Sequence, residues 1–214
     1  MSRIDGNVTD LAPRILGGGQ GSSTTACWMC QTGLSCRAAF CHDCGTIQAP
    51  RALDHFARLG LDCRFDIDRA QLAGRTQAMA RIFEAERFAA KGPRQKQLAL
   101  EHLAAIEEAH TVLRDPVRRA EYLLTLVEGQ GASSPVVANS NDIDVLRGQL
   151  KTAADSAAVD KVAFAAGQRV EACIRELSSA FRQQSFTEVA IILARLAQFE
   201  DIAASARAQR AGVQ

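Results

Sequence analysis

The chain has 214 residues, of which 25 are basic and 24 acidic, so its formal net charge is +1. This balance argues against a general attraction to polyanions, and we expect no nucleic-acid partner. No apolar run reaches the roughly 20 residues that a membrane helix needs, so we expect a soluble protein with no membrane partner. Seven cysteines without a secretory signal indicate a reducing compartment, with thiols that are free or bound to metal.

Shifts in composition divide the chain into five segments. They are a disordered leader over 1–26, a tetracysteine metal module over 27–49, a helical domain over 50–128, a linker over 129–141 and a C-terminal three-helix bundle over 142–210. A mitochondrial presequence is the alternative for the leader, but its two aspartates count against it. Because no strand alternation is visible, the predicted fold class is all-α with a small metal module in front.

The domain over 50–128 is predicted to contain a helical hairpin. Apolar residues recur there at steps of three and four, which is the pattern of helices packed on a partner. The two stripes consist of Leu72, Met79 and Phe83, and of Ala99, Leu103, Ile106, His110 and Leu113. The second stripe predicts a packed His110 and an exposed His102. A short helix over 52–59 precedes the hairpin, and Pro116 opens a further helix.

The C-terminal segment is predicted to form three helices, over about 142–157, 159–183 and 186–208. Ser185 followed by Glu188 is a capping-box pattern for the last of them. The second and third helices each carry one apolar stripe. Such stripes pack against neighbouring helices, so we expect a bundle with its own core.

Two CxxC pairs separated by ten residues predict a structural zinc site. A CxxC turn puts two sulfurs on one side of an ion, and two such turns complete the four thiolates of a closed tetrahedral site. The predicted ligands are Cys27, Cys30, Cys41 and Cys44. A module of this size is too small for a hydrophobic core, so we expect it to fold only with metal.

Other interpretations of the same module stay open at this point. Cys36 and His42 lie within it and compete as ligands. An iron–sulfur cluster takes the same four thiolates. A redox CxxC needs a helix N-terminus in a βαβ setting, which the pattern does not show. Cys63 and Cys173 are interpreted as packing residues or as cysteines without a functional role.

Four stretches, in order along the chain, resemble the HscB family of type III J-domain co-chaperones. They are FCHDCGTIQAP (40–50), LDHFARLGLDCRFDID (53–68), LRDPVRRAEYLLTL (113–126) and LSSAFRQQSFTEVAIILARLAQFEDI (177–202). The resemblance implies a J-domain that stimulates ATP hydrolysis by a DnaK-class chaperone. It also implies a bundle that binds the iron–sulfur cluster scaffold protein, and a location in the bacterial cytoplasm or mitochondrial matrix.

The sequence departs from the family at its signature. Glu84-Ala85-Glu86 stands where the resemblance places the His-Pro-Asp that contacts the chaperone. The flanking arginines suit the family pattern, and the implied chaperone-binding set is Arg75, Arg81, Glu84, Ala85, Glu86 and Arg87. Without Pro, good helix formers fill this stretch, which predicts that the first hairpin helix runs on to about Ala90. We expect the J-domain to keep its fold and to stimulate ATP hydrolysis poorly or not at all.

The implied scaffold-binding patch is Leu146, Arg147, Leu150 and Phe199. Asn141, Asp144 and Gly148 fit the family's apolar and acidic pattern poorly, and Gln198 stands where an aromatic is usual. The alternative is that Leu146 and Leu150 belong to the core.

Three functions compete on these observations. The first is a co-chaperone of iron–sulfur cluster assembly, and the second is a non-stimulating J-like adaptor or competitor. The third is a thiol- or metal-handling protein. The four histidines are scattered and no acid/base or nucleophile arrangement is visible, so we expect no enzyme.

Overall fold

The computed structural model describes residues 24–35, 37–128 and 141–211. Nearly all of the predicted leader and linker, together with Cys36, lies outside these residues. The described part divides into two compact units, one ending at Arg119 and the other beginning at Ala120. The predicted domain bounds themselves stay predictions. The fold class is confirmed, since seven α-helices and one small N-terminal module make up the described ranges.

The first unit begins with a short antiparallel hairpin. Strand β1 (Thr24–Ala26) pairs with β2 (Gly33–Ser35), and Thr25 lies opposite the buried Leu34. These strands are not predicted from the sequence, because three residues are too few to show an alternating pattern.

Four helices follow in the first part of the chain: α1 (His55–Leu59), α2 (Arg69–Ile82), α3 (Pro93–Arg114) and α4 (Pro116–Glu128). The Asp54 side chain accepts a hydrogen bond from the Ala57 amide and so caps α1, which begins three residues later than predicted. Gly60 ends α1 with φ 64°, a left-handed conformation that glycine adopts without strain.

The prediction that the first hairpin helix extends to Ala90 is wrong. Helix α2 ends at Ile82, Glu84 is extended with φ −55° and ψ 140°, and a 3-10 turn covers Ala85–Phe88. The cause is packing, because Phe83 and Phe88 are only 5% and 6% exposed. Burying both rings is worth several kcal/mol, on the order of 1.5–3 for each, and this outweighs the local helix propensity of the segment.

The prediction for the two histidines of α3 is also wrong. His102 is buried at 6% exposure, whereas His110 is only half-buried. The ring of His102 stacks on the ring of Phe83, so His102 lies on the buried face of α3. The other buried residues of α3 are Leu98, Ala99, Ile106, Ala109 and Leu113.

The second unit contains α5 (Asn141–Thr152), α6 (Ser156–Arg182) and α7 (Phe186–Ala211). Helices α6 and α7 pack against each other along their length through buried apolar side chains, among them Leu177, Leu196 and Phe199. Cys173 is buried in this core, as expected for a packing residue, and burial raises the pKa of its thiol. Among the helices within the described ranges, none combines the length and apolar character that crossing a membrane requires.

Candidate metal centre and partner-binding loop

The structure brings the four predicted ligands together. The Sγ atoms of Cys27, Cys30, Cys41 and Cys44 all lie within 4.8 Å of one another. Two pairs are closer, with Cys27 3.7 Å from Cys44 and Cys30 3.6 Å from Cys41. A tetrahedral ion with metal–sulfur bonds of about 2.3 Å separates its sulfurs by about 3.8 Å, so the cluster fits one ion. His42 is exposed, and the six cysteines in the described ranges form no disulfide.

The two CxxC turns repeat the same backbone geometry. In each, the residue after the second cysteine is left-handed, with φ 64° at Gln31 and φ 67° at Gly45. The amide of this residue donates to the carbonyl of the first cysteine, Gln31 to Cys27 at 3.0 Å and Gly45 to Cys41 at 2.9 Å. This hydrogen bond closes the turn and holds both thiols of each pair on one side.

A threonine supports each turn from the outside. Thr32 Oγ1 lies 3.3 Å from Cys30 Sγ, and Thr46 Oγ1 lies 3.3 Å from Cys44 Sγ. A thiol donates across such a contact, whereas a metal-bound thiolate accepts from the hydroxyl. Neither threonine was predicted as a site residue, although the sequence contains the repeated pattern Cys-x-x-Cys-x-Thr.

The electrostatics of the cluster favour a bound cation. Burial opposes ionisation of Cys27, but hydrogen bonds from its neighbours outweigh it and lower its pKa to about 6. Hydrogen bonds to Thr32 favour the Cys30 thiolate, but burial and the neighbouring thiols prevail and raise its pKa to about 11. Four thiolates this close together repel one another, so a positive ion is needed to hold all four in the ionised form.

The metal module is hydrogen-bonded to the rest of the first unit through Gln48. This side chain is 1% exposed, and its Nε2 donates to Cys27 Sγ at 3.3 Å and to the Thr46 carbonyl at 2.8 Å. The backbone carbonyl of Gln48 lies 2.9 Å from His102 Nε2 on α3. No pattern in the sequence had identified Gln48.

Two aromatic contacts join the module to the ends of the α2–α3 loop. The Phe40 ring stacks on Phe83, with centroids 5.7 Å apart and planes inclined by 6°. At the other end, the guanidinium of Arg94 lies 4.1 Å from the centre of the Trp28 ring, a cation–π contact. The loop between Phe83 and Arg94 is therefore held at both ends by the metal module.

The loop presents the residues predicted to contact a chaperone. Glu84, Ala85, Glu86 and Arg87 are all exposed, as are Arg75 and Arg81 on α2. Beside the loop is an apolar groove of about 290 Å³, lined by Phe83, Phe88, Ala99 and Leu100 among others. Leu100 is 55% exposed there.

The residues predicted to bind a scaffold protein are divided between core and surface. Leu146 is 7% and Phe199 2% exposed, so both pack inside the bundle, which agrees with the packing interpretation of Leu146. Arg147 is exposed and Leu150 is half-buried. Val145, at 46% exposure, is an apolar surface residue that the sequence analysis did not select.

Comparison with known proteins adds a sequence match and two structural matches. The chain is 42% identical over 74 residues to the co-chaperone protein HscB of Proteus mirabilis strain HI4320, a match that covers 35% of this chain and 43% of that protein. The chain thus matches less than half the length of this relative. No protein-family model matches the chain.

The structural matches extend further along the chain. The crystal structure of human co-chaperone protein HscB superposes with a TM-score of 0.73 at 24% identity, over 87% of this chain and 98% of the human one. The chaperone HscB from Vibrio cholerae gives a TM-score of 0.61 at 23% identity, over 76% of this chain and all of that one. The described residues have a J-domain-like fold with an N-terminal tetracysteine cluster that could hold a metal ion. The fold is thus similar to that of the human and Vibrio HscB proteins, and a stretch of 74 residues is similar in sequence to the Proteus co-chaperone.

Proposed function

We propose that this protein is a co-chaperone of iron–sulfur cluster assembly that binds a DnaK-class chaperone and the cluster scaffold protein but stimulates ATP hydrolysis weakly. Support comes from the match to the Proteus co-chaperone and from the fold shared with the human and Vibrio proteins. A co-chaperone of this kind performs no chemistry of its own.

The observation that carries the proposal is the conformation of the loop. Glu84 is extended and Ala85 begins a 3-10 turn. Glu84 therefore has the backbone conformation that a residue before proline adopts, even though no proline follows it. The loop backbone is thus compatible with His-Pro-Asp, while the side chains that would act there are absent. Weak stimulation of the chaperone ATPase would then result from the side chains at three exposed positions and not from misfolding of the loop.

The metal site supports the same assignment. We infer that the four cysteines hold one zinc ion, because zinc favours four thiolates in a tetrahedron and the sulfur separations match that geometry. Zinc without an open coordination position supplies folding energy and no catalysis. This role fits a binding protein and gives no support to a thiol-handling one.

The test restores the signature. The triple variant Glu84→His, Ala85→Pro, Glu86→Asp should gain stimulation of the chaperone ATPase, measured at steady state, while the parent protein stimulates little. Glu107→His on the exposed face of α3 is the matched charge control and should gain nothing. Parent stimulation equal to that of the restored variant would contradict weak activity, and a restored variant that stays inactive would contradict the co-chaperone role.

The second candidate is a J-like adaptor that holds a client without activating the chaperone. The side chain of Glu84 favours it, because an anion replaces the histidine of the signature, which can become cationic. A pull-down with the scaffold protein and the chaperone separates the candidates. Scaffold binding without chaperone binding supports the adaptor, whereas binding of both supports the co-chaperone.

A further inference from the structure

The contacts between the metal module and α3 form a continuous chain of residues. Gln48 donates from its side chain to the ligand Cys27 and accepts through its backbone carbonyl from His102. The His102 ring in turn lies parallel to Phe83, with centroids 4.2 Å apart. Phe83 is the residue directly before Glu84. Cys27, a proposed metal ligand, is therefore connected to the exposed loop through three intermediate residues, Gln48, His102 and Phe83.

The hydrogen bond between His102 and Gln48 constrains the orientation of the His102 ring. Phe83 and His102 border a cavity of about 190 Å³, whose wall also includes Met79 and Ile106. Phe83 is also stacked on Phe40, but the His102 ring has no packing partner on the side of the cavity, so packing constrains the His102 ring less there. The bond from His102 Nε2 to the Gln48 carbonyl supplies the missing constraint.

The Gln48 side chain is itself held by the metal module. Its amide nitrogen has two acceptors, Cys27 Sγ and the Thr46 carbonyl, and both belong to the module. A thiolate bound to metal is a stronger acceptor than a thiol, and the two CxxC turns persist only while their sulfurs are drawn together. Loss of metal therefore releases Gln48 and, with it, the constraint on His102.

From this geometry we infer that metal binding fixes the loop from Phe83 to Arg94, and that Gln48 is the positioning residue that connects the metal centre to it. The second contact, Arg94 on Trp28, acts in the same direction because Trp28 lies between two ligands. The inference rests on the proposed metal site. It deepens the proposed function, because the loop so held carries the residues predicted to meet the chaperone.

The experiment is amide hydrogen exchange on the full chain, loaded with zinc or treated with a chelator. The amides of Arg87, Ala89 and Lys91 donate to carbonyls within the loop and report on its order. They should exchange about tenfold faster after zinc removal, while the amides of α2 stay protected. The fluorescence of Trp28, the only tryptophan of the chain, should shift in the same titration.

Two variants test whether Gln48 and His102 connect the metal centre to the loop. Gln48→Ala should speed exchange in the loop, and its zinc content is measured in the same sample. His102→Phe keeps an aromatic ring on Phe83 and lies outside the module, so it should retain zinc and still speed loop exchange. Gln77→Ala on the exposed face of α2 is the matched control and should change neither.

Equal loop exchange with and without zinc would overturn the inference. So would a zinc-loaded His102→Phe protein that protects the loop like the parent, or an increase spread evenly over α2 and α3, which would indicate general destabilisation. None of these readouts depends on a chaperone or a scaffold protein. A loop that responds to zinc in a protein that binds neither partner would contradict the proposed function and leave this inference standing.

Discussion

The imidazole ring of His102 lies flat against the phenyl ring of Phe83, with centroids 4.2 Å apart and planes inclined by 2°. This pair joins the middle of α3 to the last residue before the exposed loop. Phe88 is buried as well, and residues five positions apart point to different sides of an α-helix, so α2 ends at Ile82 because a continued helix could not bury both rings.

Phe83→Ala should lower the free energy of unfolding of the first unit by about 3–5 kcal/mol, because it removes a buried ring and leaves a cavity. Ile82→Ala, one position earlier and 37% exposed, is the matched control and should cost much less. Urea denaturation followed by circular dichroism measures both values. Similar losses for the two variants would contradict the packing explanation for the end of α2.

The stability of the first unit should fall as the pH drops below about 6.5. Burial lowers the pKa of His102 from its ordinary value of 6.5; nearby Arg58 also lowers it, while the bond to Gln48 and the charge of Glu101 oppose the shift. The unfolded chain then takes up a proton at a higher pH than the folded one. Folding is therefore disfavoured as the pH falls from 6.5 towards the folded pKa, by at most about 1.4 kcal/mol per pH unit.

His102→Phe tests this assignment because it removes the titrating group and keeps a ring. Denaturation midpoints between pH 7.5 and 6 should fall further in the parent than in the variant. Any titration of His55 or of the cysteines is common to both proteins and cancels in the comparison. Parallel curves for the two proteins would assign the pH dependence to other groups.

Thr46→Val should weaken zinc binding by about tenfold, because it removes a hydroxyl from the outer side of Cys44 while keeping the shape of the side chain. Thr32→Val should have a smaller effect, since the Thr32 hydroxyl already donates to Asp43 at 3.1 Å. Competition with a chromophoric chelator gives the affinities. Thr24→Val, on the exposed part of β1, is the control, and an effect of equal size there would contradict a role for the hydroxyl.

The sequence was sufficient to predict which four thiols lie together, because the spacing of a CxxC pair itself fixes its local geometry. It failed at Ala85, where the surrounding residues are good helix formers and the break comes from Phe83, whose partners Phe40 and His102 lie far away along the chain. Gln48 was missed for a related reason. A lone glutamine has no periodic or motif signal, and its role follows only from the packing of the module on α3.

The division of the predicted scaffold-binding patch can be tested on adjacent residues of α5. Leu146 is buried and Arg147 exposed, so Leu146→Ala should cost the bundle about 2–5 kcal/mol in unfolding free energy, whereas Arg147→Ala should cost less than about 0.5. Calorimetric titration with the scaffold protein provides the second readout. Arg147→Ala should weaken that binding at unchanged stability, and Lys161→Ala on the exposed face of α6 is the control. If Arg147→Ala and Lys161→Ala bind the scaffold protein as tightly as the parent does, the exposed face of α5 at Arg147 is not the contact. The scaffold-binding patch that the resemblance implies would then be wrong for this protein, and Leu146 and Phe199 would have only a packing role.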